Sequence, residues 1–239
     1  IVAWSLGNET WSLLKLHYEK PYLTVVRKAY LDLIEELAVE IKKIDPNRPI
    51  LAAEEHYNLP SSMWSYRKYV PSLDVFAVNS YYKEKVRRLD TLAQVYLEGM
   101  HYLVSEFGNK GYWSKNLSDF IFDTIIWEQT SHEKAEYYKF QWNNYIEPNK
   151  ERNVGGVAFC WQDRYEKTAT WFGITDIFGN TKPAYFALKE SFTGKTTQAH
   201  QIPEHRILLN REVFKEGYYT ARAISTDLTK RREYSYKWA

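Results

Sequence analysis

Two glutamates, Glu9 and Glu106, are the residues of this chain whose surroundings best suit bond-cleaving chemistry. Each stands at the end of a short apolar segment, with an amide or hydroxyl side chain directly before it. Two carboxyl groups on opposite sides of a bond can divide the work, one protonating the leaving oxygen and the other stabilising or attacking the carbon. Glycosidic bonds are cleaved by such a pair. Either glutamate alone would be read as a solvated carboxylate at a loop edge, so the interpretation depends on both together.

The order of predicted elements explains how two glutamates so far apart in sequence can meet. Short, uniformly apolar segments alternate with helical patterns, as in parallel sheets that are buried on both faces. Polar residues cluster just after these strands, and in a βα barrel the carboxyl ends of the strands form the active-site face. We therefore predict an α/β fold, the C-terminal portion of a (β/α)8 TIM barrel. Strands are predicted at 1–6, 50–53, 74–78, 101–104 and 155–161, and helices at 22–44, at 90–99, from 130 onward and after 183.

Two of the predicted helices carry additional local signals. Thr130 suits a helix N-cap, and Glu133 stands three residues later as its reciprocal partner in a capping box. In the helix at 22–44, apolar residues recur every four positions and predict one buried stripe. That stripe consists of Val25, Ala29, Leu33, Leu37 and Ile41.

The pattern changes near residue 200, where strands are predicted at 206–209, 218–225 and 234–238 with polar turns between them. We predict a partial barrel catalytic domain at 1–196 and the start of a C-terminal β-sandwich domain at 197–239. Because the chain opens with Ile1 inside a buried-type strand, we expect it to be an excerpt. The missing N-terminal part of the same protein would then be its structural partner, supplying the remaining barrel strands.

Composition excludes several classes of function. The 239 residues carry 32 basic and 30 acidic side chains, a net charge of +2 that is too balanced for a nucleic-acid partner. Charges interrupt every apolar run before it reaches the length of a membrane span, so no membrane partner is expected. Aromatic residues make up 17% of the chain, and aromatic faces suit the apolar faces of sugars. A carbohydrate is the expected ligand, and composition leaves the localisation open.

Residues 4–9, WSLGNE, resemble the acid/base motif of glycoside hydrolase family 2, which includes β-galactosidases, β-glucuronidases and β-mannosidases. Residues 104–108, VSEFG, resemble the nucleophile motif of the same family. The resemblance extends over about residues 1–194. It implies that the five predicted strands are the fourth to the eighth strand of the barrel. It implies a double displacement in which Glu106 attacks the anomeric carbon and Glu9 acts first as acid and then as base.

The resemblance also implies residues that bind the sugar. Asn8 matches the family residue that hydrogen-bonds the sugar 2-hydroxyl. Asn79 begins a segment, residues 79–82 (NSYY), that matches the one following the sixth strand, and there Tyr81 would donate a hydrogen bond to Glu106. Trp161, at the end of the last predicted strand, matches an aromatic residue that lines the sugar subsite.

Substrate class is narrowed by one departure from the family. Family glucuronidases carry an Asn-x-Lys motif directly before the glycine that corresponds to Gly173, where this chain has residues 170–172, TWF. A neutral sugar is therefore expected, and the sequence predicts a retaining exo-β-glycosidase, β-galactosidase-like. Trp113 and Trp171 lie in loops on the expected active face and are candidates for sugar stacking.

Two other functions remain compatible with the same residues: a non-catalytic carbohydrate-binding or scaffold barrel, and a transglycosidase in polysaccharide metabolism. Glu54, Glu55 and His56 end a predicted strand, where they could contact substrate or stay structural. Their spacing fits no zinc motif, so no metal and no cofactor are predicted.

Overall fold

The computed structural model describes residues 2–113, 120–121, 125–126, 128–166, 168–196, 205–209 and 221–225. The strands are β1 (Trp4–Asn8), β2 (Ile50–Glu55), β3 (Val75–Asn79), β4 (His101–Phe107), β5 (Phe120–Ile121), β6 (Ile125–Ile126), β7 (Asn153–Ala158), β8 (His205–Leu209) and β9 (Ala221–Ser225). The helices are α1 (Thr10–Leu13), α2 (Tyr22–Ile44), α3 (Leu59–Tyr69), α4 (Lys83–Tyr96), α5 (Ser131–Gln141) and α6 (Pro183–Thr193).

Five strands form one parallel sheet in the order β1-β2-β3-β4-β7, so neighbours along the chain are neighbours in space. Helices connect each strand to the next, which is the repeated βα unit of a (β/α)8 barrel. The chain has the fold of part of such a barrel, as the sequence predicted. Because all five strands run the same way, their carboxyl ends lie along one edge, and this edge carries Glu9 and Glu106.

The core lies between the sheet and its helices, and α2 shows how the helices are held. Its buried residues are Leu31, Ile34 and Ala38, whereas Val25 and Leu33 of the predicted stripe are 66% and 50% exposed. The predicted stripe is wrong because a strict four-residue spacing rotates about 40° per step around a helix of 3.6 residues per turn. A stripe with mixed three- and four-residue steps stays on one face and packs against the sheet.

Helix boundaries agree with the sequence where a cap or a proline defines them. The predicted bounds of α2 are confirmed. The capping box of α5 is also confirmed, since Thr130 Oγ1 accepts the Glu133 N–H and Glu133 Oε2 accepts the Thr130 N–H. Beyond α5 the chain continues through a π-helical turn, Trp142–Ile146, and a 3₁₀ turn, Glu147–Asn149.

Other boundaries differ from the prediction. Helix α4 begins at Lys83 rather than near residue 90. Its buried residues Val86, Leu89 and Ala93 follow a helical spacing, but the many charged residues around Val86 concealed it in the sequence. Strand β1 is shifted to Trp4–Asn8, and β7 ends at Ala158 rather than Trp161. Helix α3 was not predicted, since its Ser- and Tyr-rich sequence is typical of loops and it is held instead by burial of Leu59, Ser62, Met63, Ser65 and Tyr66.

The end of the chain contains one antiparallel pair, in which β8 is hydrogen-bonded to β9. This confirms strands at 206–209 and over the later part of 218–225, while the prediction at 234–238 lies outside the described residues. The division into two domains stays a prediction. Among the described residues, no helix combines the length and the apolar character that crossing a bilayer requires.

Candidate active site

A cavity of about 400 Å³ opens at the carboxyl ends of the parallel strands. Both predicted catalytic glutamates contribute to its wall, together with residues from four strand ends and from the segments that follow them. The lining consists of Asn8, Glu9, Glu55, His56, Tyr57, Asn79, Tyr81, Tyr82, Lys85, Glu106, Trp113, Phe159, Arg164 and Glu166. The structure therefore brings together Asn8, Glu9, Asn79, Tyr81 and Glu106 of the predicted site.

Glu9 is presented by a sharp turn between β1 and α1. It occupies the N-cap position of α1 in the left-handed region (φ 58°, ψ 16°), and its N–H is bonded to Ala53 O at 2.8 Å. Gly7 prepares this turn with φ 89°, and a Cβ there would lie 2.6 Å from the Tyr30 hydroxyl. Only glycine satisfies both conditions, because it has no Cβ and tolerates positive φ.

A side-chain network orients the Glu9 carboxylate. Asn79 Nδ2 donates to Glu9 Oε1 at 2.8 Å and to Asn8 Oδ1 at 2.9 Å. The orientation of that amide is itself fixed, because Ser105 Oγ donates to Asn79 Oδ1 at 2.7 Å. Asn79 is almost fully buried, which limits competition from water at its amide. Three strands, β1, β3 and β4, thus hold the acid/base candidate in one direction.

Glu106 lies within β4, where its Cα pairs with that of Asn79 on β3. The Tyr81 hydroxyl donates a hydrogen bond to Glu106 Oε2. Burial raises the pKa of Glu106, the Tyr81 hydrogen bond lowers it, and the negative charge of Glu9 raises it. Burial and the neighbouring Glu106 charge also raise the pKa of Tyr81 above its ordinary value, so Tyr81 keeps its proton and remains a donor.

Aromatic rings form the wall beside Glu106. Tyr81 contacts Trp113, Phe159 and Phe172 with ring centroids 5.2, 5.8 and 5.6 Å away, mostly edge to face. Trp113 and Phe159 line the cavity, as a sugar-stacking surface requires. Phe159 was missed in the sequence because it lay inside an apolar run; strand β7 ends at Ala158, which places Phe159 at the mouth.

The two other tryptophans singled out in the sequence lie outside the cavity lining. Trp171 is 3% exposed and donates its indole N–H to Lys110 O at 3.0 Å, so its position favours packing behind the wall over contact with sugar. Trp161 is 65% exposed and packs against Tyr185 on the outside. Because strand β7 ends three residues earlier than predicted, Phe159 lines the cavity and Trp161 does not, and the subsite role of Trp161 stays a prediction.

The loop after β7 supplies Arg164 and Glu166 to the cavity and is anchored by Asp163. The buried Asp163 carboxylate accepts the Gly173 N–H at 2.8 Å and ion-pairs with Lys182 at 2.8 Å. Arg164 donates to Glu166 at 2.6 Å, and its guanidinium lies 4.9 Å from the Phe159 ring centroid. The loop therefore holds a paired cation and anion beside an aromatic face.

The remaining wall comes from the ends of β2 and β3. His56 Nδ1 lies 3.0 Å from Ser80 Oγ, and burial, with Lys85 and Arg88 nearby, lowers the pKa of His56 to about 3. His56 is therefore neutral at physiological pH. The Lys85 ammonium lies 3.7 Å from the Tyr57 ring centroid. Within the described part of the chain, no cluster of three or more His, Cys, Asp or Glu side chains could hold a metal ion.

Comparison with known proteins gives similarity in structure only. No protein-family model matches this sequence, and no curated protein matches it significantly. Among solved structures, it resembles a β-glucuronidase from Bacteroides uniformis (16% identity, TM-score 0.56, 85% of this chain and 24% of that one). It also resembles a GH51 α-L-arabinofuranosidase from Thermotoga petrophila (12%, 0.51, 78% and 38%) and a family 1 β-glucosidase from Thermotoga maritima (11%, 0.51, 79% and 63%).

The chain thus spans between 24% and 63% of the length of these proteins. At such low identities the similarity concerns the fold alone. It agrees with the parallel sheet and its connecting helices, and the chain has the architecture of a partial (β/α)8 barrel in which Glu9 and Glu106 line one cavity at the strand ends.

Proposed function

We propose that this chain carries the catalytic centre of a retaining glycoside hydrolase, with Glu106 as nucleophile and Glu9 as general acid/base. One observation carries the proposal. Both carboxylates line one cavity, and each receives a hydrogen bond from its own neutral donor, Asn79 for Glu9 and Tyr81 for Glu106. Such an arrangement allows the two glutamates to be oriented separately and to perform different roles.

The chemistry is a double displacement. Glu106 attacks the anomeric carbon as the glycosidic C–O bond breaks, and Glu9 gives its proton to the departing oxygen. Glu9, now a carboxylate, takes a proton from water, and that water displaces Glu106 from the sugar. Bonding to the sugar removes the negative charge of Glu106, which lessens the repulsion that Glu9 experiences between the two steps.

The proposed substrate is a β-linked neutral sugar. More specifically, we propose a sugar of galactose configuration and membership of glycoside hydrolase family 2. Residues 170–172 lack the Asn-x-Lys motif of the family's glucuronidases. In the cavity, Arg164 is already paired with Glu166, and Trp113 and Phe159 provide apolar faces. Lys85 is a cation of the wall with aromatic neighbours, so a uronic acid is the alternative that the experiment must include.

The test is covalent trapping in the full-length natural protein. We would incubate it with 2-deoxy-2-fluoro glycosyl fluorides of galactose, glucose, mannose and glucuronic acid configuration and measure intact mass. The expected result is one adduct, from a neutral probe, that peptide mapping places on Glu106. The matched Glu106→Gln variant should remain unlabelled.

Each other outcome counts against part of the proposal. Labelling by the glucuronyl probe alone would contradict the neutral substrate. Labelling followed by transfer to an added sugar in preference to water would make the protein a transglycosidase. No adduct with any probe, in protein that is folded by circular dichroism, would contradict the enzyme and favour a binding or scaffold barrel.

A further inference from the structure

Glu54 is a buried acid that the proposed chemistry does not use. It is 1% exposed and lies on β2 one position before the end of the strand. Its Oε1 accepts the Trp11 N–H at 3.1 Å and the Tyr66 hydroxyl at 2.7 Å. The ionisable groups that act on it or feel its charge come from four elements: Glu9 beside α1, Arg27 and Tyr30 on α2, Glu55 on β2, and Tyr66 on α3.

The Trp11 N–H that Glu54 accepts belongs to the first turn of α1. The first N–H groups of a helix have no partner within it and are usually satisfied by the side chain of the N-cap residue. Here the N-cap residue is Glu9, whose side chain makes no capping bond and instead accepts from Asn79. Glu54 therefore replaces the missing cap, and this leaves the Glu9 carboxylate free for the cavity.

Two further contacts fix the same turn. The Glu9 N–H is bonded to Ala53 O, the residue before Glu54. At the other end of the turn, Arg27 Nε donates to Trp11 O at 3.1 Å and its guanidinium lies 4.4 Å from the Trp11 ring centroid. The backbone of Glu9 is in the left-handed region, which a glutamate does not prefer. Such a conformation persists only where the surrounding contacts hold it.

We propose that Glu54 is a positioning residue for Glu9: by capping α1 from β2, it holds the strained turn that directs the Glu9 carboxyl toward the bond to be cleaved. This inference rests on the proposed function. Burial raises the pKa of Glu54 to about 7, so near neutral pH much of it is an uncharged carboxyl group. An uncharged group accepts the same two hydrogen bonds, and glutamine should therefore replace it in this role.

The experiment measures kcat/KM of the full-length protein on aryl glycosides whose leaving groups range from strongly activated to poor. Glu54→Leu removes the acceptor, and Glu54→Gln keeps a carbonyl oxygen in its place. Activated leaving groups depart without a proton, so only the poor ones depend on the direction of Glu9. We expect Glu54→Leu to lower kcat/KM by roughly 10- to 100-fold on the poorest leaving groups and much less on the best. Glu54→Gln should restore most of that loss.

A purely structural role predicts a different result. An equal loss across the whole series, or no loss, in Glu54→Leu would overturn the proposal. Should that variant not fold, Tyr66→Phe removes one of the two bonds to Glu54 and keeps its Trp11 bond. Tyr66→Phe should lower kcat/KM with the same dependence on the leaving group, but by a smaller factor. A loss of kcat/KM that is equal for all leaving groups would overturn the proposal in this variant too.

Glu9→Ala and Glu106→Gln belong in the same series, because they separate the two levels of inference. If Glu106→Gln keeps near-native activity on any substrate, or Glu9→Ala keeps it on the poorest leaving groups, the proposed function fails whatever the Glu54 variants show. If both lose activity as expected and Glu54→Leu shows no dependence on the leaving group, only the positioning role fails.

Discussion

Asn79 Nδ2 lies 2.8 Å from Glu9 Oε1, so an amide at the end of β3 orients a carboxylate that follows β1, two strands away in the sheet. The two residues are 70 positions apart. The bond depends on the parallel sheet, which brings both strand ends to one edge, and on Ser105, which determines the direction of the Asn79 amide.

Removing the amide of Asn79 should impair proton transfer by Glu9. We expect Asn79→Ala to lower kcat/KM on poor leaving groups by roughly 10- to 100-fold, because a proton donor that is misdirected loses much of its effect. Ser105→Ala is the matched control: it keeps the amide and removes only the bond that orients it, so its loss should be smaller. Equal losses in the two variants would contradict the importance of the direct Asn79–Glu9 bond.

Substituting the two glutamates should separate their roles. Glu106→Gln should lower turnover by about a thousandfold or more on every substrate, since no nucleophile remains. Glu9→Ala should slow substrates with poor leaving groups far more than activated aryl glycosides. Steady-state kinetics on a graded aryl series measures both. Near-native turnover in Glu106→Gln would remove it as nucleophile, and an equal loss on all substrates in Glu9→Ala would count against its acid role.

Tyr81→Phe should change the pH dependence of the reaction. Glu106 must be ionised to attack, and the Tyr81 hydrogen bond lowers the pKa of Glu106 against the effect of burial. Without the hydroxyl that pKa rises, so the acidic limb of the kcat/KM profile should move to higher pH. Activity measured from about pH 4 to pH 8 tests this. An acidic limb that stays in place would show that the hydroxyl does not influence ionisation of Glu106.

Glu54 should make the stability of the protein fall as the pH rises. Its pKa is about 7 in the folded chain, against an ordinary value of 4.5. Between these values the folded state binds more protons than the unfolded state, so the free energy of unfolding decreases as the pH rises through this window.

Glutamine does not titrate, so Glu54→Gln does not lose this stability as the pH rises. Relative to the native protein, the free energy of unfolding of the variant should therefore increase by about 3 kcal/mol between pH 4.5 and a pH above 7. Urea unfolding at several pH values measures it. His56, whose own pKa is shifted, is present in both proteins and cancels. A difference independent of pH would contradict the raised pKa of Glu54.

Gly7 should tolerate alanine worse than Gly99 does. Both have a positive φ, 89° and 91°, but a Cβ on Gly7 would lie 2.6 Å from the Tyr30 hydroxyl, whereas nothing lies within 4 Å of one on Gly99. We expect Gly99→Ala to lose about 1 kcal/mol of unfolding free energy from backbone strain, and Gly7→Ala to lose at least about 1 kcal/mol more. Adding Tyr30→Phe should recover part of the excess. Equal losses at the two glycines would show that the turn relaxes around the extra methyl group.

The sequence located the two glutamates and the general architecture because both depend on local signals. Polar residues directly after uniformly apolar strands indicate the active edge of a parallel sheet, and a proline after Ile44 defines the end of α2. The missed features depend on tertiary packing. Whether Trp171 faces a cavity or the core, where β7 ends, and which acid caps α1 are decided by contacts between distant segments.

The Asp163 anchor has a consequence for how the cavity could change in evolution or design. The bonds from Asp163 to Gly173 and Lys182 span 10 and 19 positions. The segment that carries Arg164 and Glu166 is therefore tied to residues close to it in sequence. The bond between Asn79 and Glu9, by contrast, requires that strands far apart in sequence come together. Short closures cost less entropy, so the Asp163 bonds help to hold this loop, to which Trp171 and Thr170 add longer-range bonds with Lys110 and Lys134. A replacement of this loop would have to keep those longer contacts, and it would leave the bond between Asn79 and Glu9 intact.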